Sequence, residues 1–347
     1  AVAEGKVDWY LSASPTGFYP AKYRDFYFGD HRRYDSYYWS HYFGYNDDSS
    51  SSRSGSHDED GEARLDEDGK LSLNFKLPEI KFPSPRRVTV TTEVTDANSQ
   101  TLTSRDTLTV QSSDFYLGLS RQDQLARVNK VVPFELVTVT PKGEPFTANT
   151  PVQVTITREF NKQTKSKAAN GRIVVKNETE ILPVSQTDHL VTGGKLNIPF
   201  TPKDAGRHFF SITAQDASGR AVQTIATHHV YGTNEYPWAY ESGMRIKLVP
   251  EQQRYQAGDT ARILVLSPIE GEALITIERK GVIRHFQTVL KADNPVIEIP
   301  ITEEDAPNTF VSVLIIKGAT DSKRKHPEPQ LRLGYCELTI DPTKDRL

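Results

Sequence analysis

The stretch YQAGDTARILVLSPIEGEALITIERKGV, residues 255–282, decides the fold class. The stretch contains two runs in which the residues on one face differ in character from those on the other. Ala261, Ile263 and Val265 lie on one face of the first run, and Leu274, Thr276 and Glu278 lie on one face of the second. Ser267-Pro268 and Gly271 separate the runs. A period of two is typical of β-strands, and proline cannot donate to a β-ladder. The stretch therefore predicts a strand, a turn and a second strand.

The same pattern recurs towards the start of the chain, which predicts tandem domains. Gly69-Lys70-Leu71 opens one alternating segment, and Gly194-Lys195-Leu196 opens another 125 residues later. Each segment is followed by two strands joined by a predicted hairpin turn, at 95–98 and 215–219. Residues 296–318 repeat this order in part. Such units predict an all-β chain of tandem immunoglobulin-like antiparallel β-sandwiches.

These repeats set the predicted domain boundaries. The first domain spans 1–111 and is expected to be incomplete at its N-terminal end. The second spans 112–232 and the third 244–341, with a linker at 233–243 and a join to a further domain at 342–347. The first domain carries an insertion over 23–68, aromatic in its first half and Ser-rich and acidic in its second. We expect 47–60 to be a mobile loop because it has little apolar surface to bury.

Composition narrows the classes of function. The chain has 347 residues, of which 36% are hydrophobic and 25% are charged, as in ordinary globular domains. Its formal net charge of -3 offers no excess of positive charge to phosphates, so we expect no nucleic-acid partner. No stretch approaches the roughly 20 apolar residues that span a bilayer, so we expect a soluble segment without membrane contact. We also expect a longer parent polypeptide, with any export signal or lipid anchor upstream.

Several clusters resemble chemical sites, but each has a structural interpretation that we favour. The acidic runs 58–61 and 66–69 lack the ligand spacing of a calcium loop, so a solvated loop and turn is expected. His228 and His229 are adjacent on a predicted strand and therefore point to opposite faces, unlike convergent zinc ligands.

The aromatic insertion leaves two interpretations open. Tyr37, Tyr38 and Trp39 are large amphipathic rings that suit a sugar platform or a protein contact. Packing against a sandwich or a neighbouring domain is the favoured alternative.

Nucleophilic catalysis has no support in the sequence. No serine lies in a Gly-x-Ser-x-Gly elbow. The single cysteine, Cys336, permits no internal disulfide, and nothing near it suggests a base. We expect Cys336 to be a small packing residue. We therefore predict that the chain is not an enzyme and assign no catalytic, cofactor-binding or metal-binding residue.

The opening stretch also resembles a macroglobulin (MG) domain of the bacterial alpha-2-macroglobulins. The residues that carry this resemblance are Tyr255, Gly258-Asp259, Ser267-Pro268, Gly271, Leu274, Glu278-Arg279, Asp305-Ala306-Pro307-Asn308, Val311 to Val313, Gly334-Tyr335 and Leu338 to Pro342. The third domain resembles the family most, the second less and the first least. Tyr27-Phe28-Gly29 is similar to an aromatic element of the family, and Ala257 departs from the family's Tyr-x-Pro-Gly.

The resemblance implies a structural fragment of a broad-spectrum protease inhibitor. In that family, cleavage of a bait segment closes a shell of macroglobulin domains around the protease, which a thioester can also capture. The thioester cysteine belongs to a Cys-x-Glu-Gln motif, whereas Cys336-Glu337 continues with Leu338-Thr339. We therefore expect bait and thioester to lie beyond residue 347. The implied partners are proteases and neighbouring macroglobulin domains, without a cofactor, in the periplasm or cell envelope.

Two other functions remain open from the residues alone. Stacked immunoglobulin-like domains also serve as adhesins or carbohydrate-binding arrays, with the aromatics of 23–45 as the binding surface. The domains could equally be spacers in an envelope enzyme.

Overall fold

The computed structural model describes residues 5–31, 56–95, 100–121, 125–167, 173–233, 237–238, 244–252, 254–319 and 329–341. Across these ranges the only helical elements are single 3₁₀ turns at Ala21–Tyr23 and Glu303–Asp305, which confirms the all-β prediction. The strands are β1 (Lys6–Pro15), β2 (Phe26–Phe28), β3 (His57–Arg64), β4 (Arg86–Thr95), β5 (Thr101–Val110), β6 (Tyr116–Ser120), β7 (Leu125–Arg127), β8 (Val132–Val139), β9 (Thr150–Lys167), β10 (Ile173–Val191), β11 (Lys195–Phe200), β12 (Gly206–Gln215), β13 (Ala221–Tyr231), β14 (Lys247–Pro250), β15 (Arg254–Gln256), β16 (Thr260–Leu266), β17 (Gly271–Glu278), β18 (Val282–Leu290), β19 (Val296–Pro300), β20 (Asn308–Lys317) and β21 (Gln330–Asp341).

The third domain folds as the opening stretch predicts. Its two sheets have the orders β14-β16-β19 and β15-β21-β20-β17-β18. Ala261, Ile263 and Val265 of β16 are fully buried in the core of the third domain. Leu264 and Leu266 are buried too, but they belong to a separate cluster that includes residues of the second domain. In β17 the buried residues are Ala273, Ile275 and Ile277, so the other set, Leu274, Thr276 and Glu278, lies on the half-buried outer face.

The second domain is also a two-sheet sandwich. Its sheets have the orders β10-β9-β12-β13-β7 and β11-β8-β6-β2. Phe134, Leu136, Phe210 and Ile212 lie in the core between them. Among the strands given above, the parallel pairs are β7 with β13 and, in the third domain, β15 with β21.

The pairing of β2 differs from the predicted boundary between the first two domains. Phe26–Phe28 pairs with β6, so it extends a sheet of the second domain although the sequence places it in the first domain's insertion. Tyr27 and Phe28 are buried there. A boundary drawn from local repeats misses this exchange because β2 and β6 are about 90 residues apart.

The first domain is a single sheet in the described residues, with the order β3-β1-β4-β5. Its core consists of Leu11, Ala13 and Val88 and is smaller than the cores of the other domains. Phe75 and Leu77 pack on this core from an extended segment at 71–77. The alternation of this segment is typical of a strand, but in the described residues 71–77 belongs to no sheet.

The expected mobile loop at 47–60 is wrong for its last residues. His57–Arg64 forms β3, which pairs along β1 from Lys6 to Ala13. β3 is an edge strand, and most of its residues are exposed and charged. It therefore lacks the apolar alternation from which a strand is predicted in a sequence. The remaining residues of the expected loop, 47–55, lie outside the described residues.

Candidate functional site: the junctions between the domains

The residues singled out in the sequence do not converge on one place. Asp58, Glu59 and Asp60 lie along the edge strand β3, whereas 66–69 forms a turn in which the Lys70 amide donates to the Asp66 carboxylate at 2.7 Å. Among the described residues, no group of three or more His, Cys, Asp or Glu side chains is placed to hold a metal ion. Tyr37, Tyr38 and Trp39 lie outside the described residues.

The two adjacent histidines lie on opposite faces of β13. His228 is in the core, with its ring centroid 4.5 Å from that of Phe134 and 5.1 Å from that of Phe210. His229 lies on the outer side, 5.8 Å from Trp238. This placement confirms that the pair is not convergent.

A third buried histidine, His208, lies opposite His228 on β12. Its Nδ1 is 3.3 Å from the carbonyl oxygen of Gly206. Burial lowers the pKa of His208 to about 4, and the nearby Arg158 charge acts in the same direction, so the ring is neutral at pH 7. Sequence reasoning did not single out this residue, since a lone histidine in an alternating strand carries no distinguishing signal.

Cys336 is a packing residue, as the sequence predicted. It is half-buried on β21 and packs against the core of the third domain. Burial raises the pKa of its thiol, which therefore stays protonated at neutral pH.

The junction between the second and third domains is a continuous apolar cluster. Trp238, from the predicted linker, is buried between Leu125 and Tyr231 of the second domain and Leu264 and Leu266 of the third. Large aromatic rings contribute much of the energy of such contacts. The two domains are therefore held together by packing as well as by the chain connection.

Polar contacts fix the orientation of this junction. The Arg262 guanidinium on β16 donates to the Tyr231 hydroxyl at 2.9 Å and pairs with Glu251 at 3.2 Å. The linker is also tied to the second domain, because the Asn161 amide of β9 donates to the Pro237 carbonyl oxygen at 3.0 Å. Hydrogen bonds across a buried apolar contact specify one arrangement.

The junction between the first and second domains is more open. A cleft of about 560 Å³ separates 15–19 and 80–85 of the first domain from 28–31 of the second domain's sheet. The Phe18 ring stacks on Tyr116 at 4.3 Å and so connects the two sides. The chain between β1 and β2 and the chain between β5 and β6 both cross this junction.

A buried carboxylate of the second domain binds the chain segment that runs from β5 to β6. Asp216, in the predicted turn at 215–219, accepts hydrogen bonds from the amides of Asp114, Ser218 and Arg220 and from the Arg220 guanidinium. Burial raises the pKa of Asp216, but these bonds outweigh burial and hold the pKa below its ordinary value. Gly219 has a φ of 75°, a left-handed conformation that glycine adopts readily, in keeping with the hairpin turn predicted at 215–219.

The third domain has a similar anchor at the short helix Glu303–Asp305. The fully buried Asp305 carboxylate receives two hydrogen bonds from Arg284, at 2.7 and 2.8 Å, and others from Thr302. Burial raises the pKa of Asp305, whereas the Arg284 and Thr302 contacts lower it and prevail. These contacts hold the short helix against β18 and stabilise the third domain.

Comparison with known proteins gives one match to a family model, over the third domain. The model of the alpha-2-macroglobulin bait region domain matches residues 246–347. No curated protein matches the sequence. The matched model is that of the domain that carries the bait region, whereas the sequence analysis expected the bait beyond residue 347. The position of the bait stays a prediction.

Solved structures of bacterial alpha-2-macroglobulins are similar to the chain. A cryo-EM structure of the native E. coli protein matches at 14% identity and a TM-score of 0.41, covering 99% of this chain and 21% of that one. A Salmonella alpha-2-macroglobulin reacted with methylamine matches at 14% identity and a TM-score of 0.40, with 97% and 21% covered. This chain thus spans about a fifth of the length of those proteins. The resemblance predicted from the sequence is confirmed by the family model: residues 246–347, which include the stretch that decides the fold class, match the alpha-2-macroglobulin family.

Proposed function

We propose that the chain is a structural scaffold of a bacterial alpha-2-macroglobulin, a broad-spectrum inhibitor that traps proteases after a bait is cut. The observation that carries this proposal is the family match over 246–347. The arrangement of the described residues suits a scaffold because their buried polar groups tie turns and domain junctions together.

The scaffold role depends on a stiff connection between domains. A trap that closes after one cut has to convert a local cleavage into movement of whole domains. The cluster around Trp238 and the Arg262 contact to Tyr231 make the second and third domains one candidate moving unit. The open cleft makes the first junction the place where relative movement costs less.

The proposed partners are proteases and neighbouring macroglobulin domains of a longer polypeptide. We place the protein in the periplasm or cell envelope, with no enzymatic activity of its own. Fractionation of cells that express the longer polypeptide tests this placement, and recovery in the cytoplasm would contradict it.

The isolated chain provides a direct test of where bait and trap lie. We expect the purified 347-residue chain to fold, to bind no protease stably and to leave protease activity on a protein substrate unchanged. The measurement is residual activity of trypsin and elastase after incubation with an excess of the chain. Inhibition by the chain alone would show that a functional trap is already present in it.

A further inference from the structure

The first domain has an apolar sheet face that is only half covered. Residues directly opposite each other on antiparallel strands share a face. Val88 of β4 is buried and lies opposite Leu108 of β5, and Val94 lies opposite Leu102. Leu108 is nevertheless 52% exposed and Leu102 is 74% exposed. The covered face at β1 and β4 therefore continues onto β5, where Leu102 and Leu108 are exposed on either side of Ser104 and Asp106.

The cover over the buried half is the extended segment at 71–77. Its apolar residues are half-buried and alternate with the exposed Ser72, Asn74 and Lys76. The segment thus has the alternation of a strand. In the part of the chain that the structure describes, its backbone joins no sheet and makes no hydrogen bond to another backbone group. Backbone donors and acceptors spaced as in a strand are therefore available along it.

Only one side of 71–77 has room for another strand. On the β3 side, the Trp9 ring packs against Phe75 at 5.0 Å and lies over Gly61, where a Cβ atom would be 2.6 Å from the ring. Trp9 therefore fills the space above β3. On the opposite side lie Leu102 and Leu108, which no large side chain covers among the described residues.

We propose that this open half accepts an added β-strand, which pairs with the backbone of 71–77 and covers Leu102 and Leu108. Such β-strand addition uses main-chain hydrogen bonds for affinity and alternate side chains for specificity. The sheet face also carries Asp106, which lies opposite Val90 and between the two leucines. The strand that fits is an extended segment with apolar residues at alternate positions and a Lys or Arg between them, facing Asp106.

The test uses a short strand fused to the N-terminus of the complete chain through a flexible Gly/Ser linker of about 12 residues, which gives a high effective concentration. The probe TVTKTVT places valine, lysine and valine on one face and reads the same in both directions. The control TTTKVVT has the same composition but puts one valine on each face. The measurement is amide hydrogen exchange, resolved to 71–77 and 101–110.

In the TVTKTVT fusion, we expect the 71–77 amides to exchange at least about tenfold more slowly than in the TTTKVVT fusion. The reason is that each new main-chain hydrogen bond engages an amide that was free before. Leu108→Asp should remove this protection, and Leu108 is exposed enough for the domain to fold with the substitution. Asp106→Lys should weaken the protection that TVTKTVT gives to the 71–77 amides. The probe TVTETVT, in which the central charge is reversed, should restore that protection in the Asp106→Lys variant.

Equal exchange of 71–77 with both probes would overturn the proposal. Protection confined to 101–110 would also overturn it, because it would show addition at the free edge of β5 instead. Protection of 71–77 in the unfused chain that grows with protein concentration would assign the face to a second copy, and it too would overturn the proposed alternating strand.

Discussion

At the scale of single residues, buried polar groups do most to specify this chain. Asp216 collects four hydrogen bonds in one turn and connects that turn to Asp114, at the start of the second domain. An uncompensated loss of such contacts leaves several buried donors unsatisfied. The turn itself was predictable from Asp216 and Gly219, but the link to Asp114 was not, because it joins residues about 100 positions apart.

Asp216→Ala should therefore destabilise the second domain by about 2–4 kcal/mol, since it removes the acceptor for three amides and a guanidinium. Ser218→Ala is the matched control, because it lies in the same turn and changes only an exposed side chain. Urea unfolding with a signal from the second domain measures both. Equal midpoints for the two variants would contradict the assigned role of Asp216.

His208 gives the second domain a specific pH dependence. Its pKa is about 4 in the folded state, against an ordinary value of 6.5, so the unfolded chain binds more protons between these values. Stability from this group is complete above pH 6.5 and declines as pH falls towards 4, by about 3 kcal/mol. His208→Asn should remove this part of the decline, as measured by urea unfolding between pH 8 and pH 4. His285→Asn, at an exposed histidine, should leave the decline unchanged, and an unchanged decline in His208→Asn would refute the assignment.

At the scale of elements, strands with a face in a domain core were predictable and edge strands were not. β16 was predictable because Ala261, Ile263 and Val265 recur with a period of two, which places all three on the face that packs in the core of the third domain. β3 was not predictable from the sequence, because its mostly exposed residues HDEDGEAR show no apolar alternation. Its pairing with β1 is set by backbone hydrogen bonds, which leave no signal in the side chains. The residues of β2 were assigned to the first domain's insertion and not to a sheet of the second domain, because a three-residue strand carries no information about its distant partner.

The start of β17 depends on a close approach of two backbones. A Cβ atom on Gly271 would lie 2.5 Å from the carbonyl oxygen of Ile316 on β20, where the neighbouring backbone has little freedom to move. Gly271→Ala should destabilise the third domain by about 1–3 kcal/mol. Gly281→Ala, with no atom within 4 Å of the added Cβ, should change stability by less than about 0.5 kcal/mol. Thermal unfolding of both variants measures the difference, and similar melting temperatures would contradict the backbone contact.

At the scale of the whole molecule, the two junctions differ in kind. The second and third domains share an apolar cluster around Trp238, whereas a cleft lies between the first and second. The sequence predicted a linker at 233–243 between the second and third domains. It did not indicate that Trp238 would fill the junction, because a tryptophan in a linker is equally consistent with an exposed contact residue.

Trp238→Ala should uncouple the second and third domains. We expect them to unfold in one calorimetric transition in the parent chain and in two in the variant, because the shared cluster loses its largest side chain. Tyr19→Ala, which truncates a ring that is 77% exposed at the cleft, should preserve the single transition. Two transitions in the parent chain would show that the junction does not couple the domains.

The most direct test of the proposed scaffold role uses a longer polypeptide that contains this chain. The polypeptide is digested with trypsin over time, the first cut is mapped, and the activity of the trypsin is assayed on a large protein substrate and on a small peptide substrate. We predict an early cut beyond residue 347, loss of activity on the large substrate and retention of activity on the small one, because a closed shell excludes only large molecules. A first cut in the Ser-rich region around 49–56, with both activities unchanged, would contradict the account.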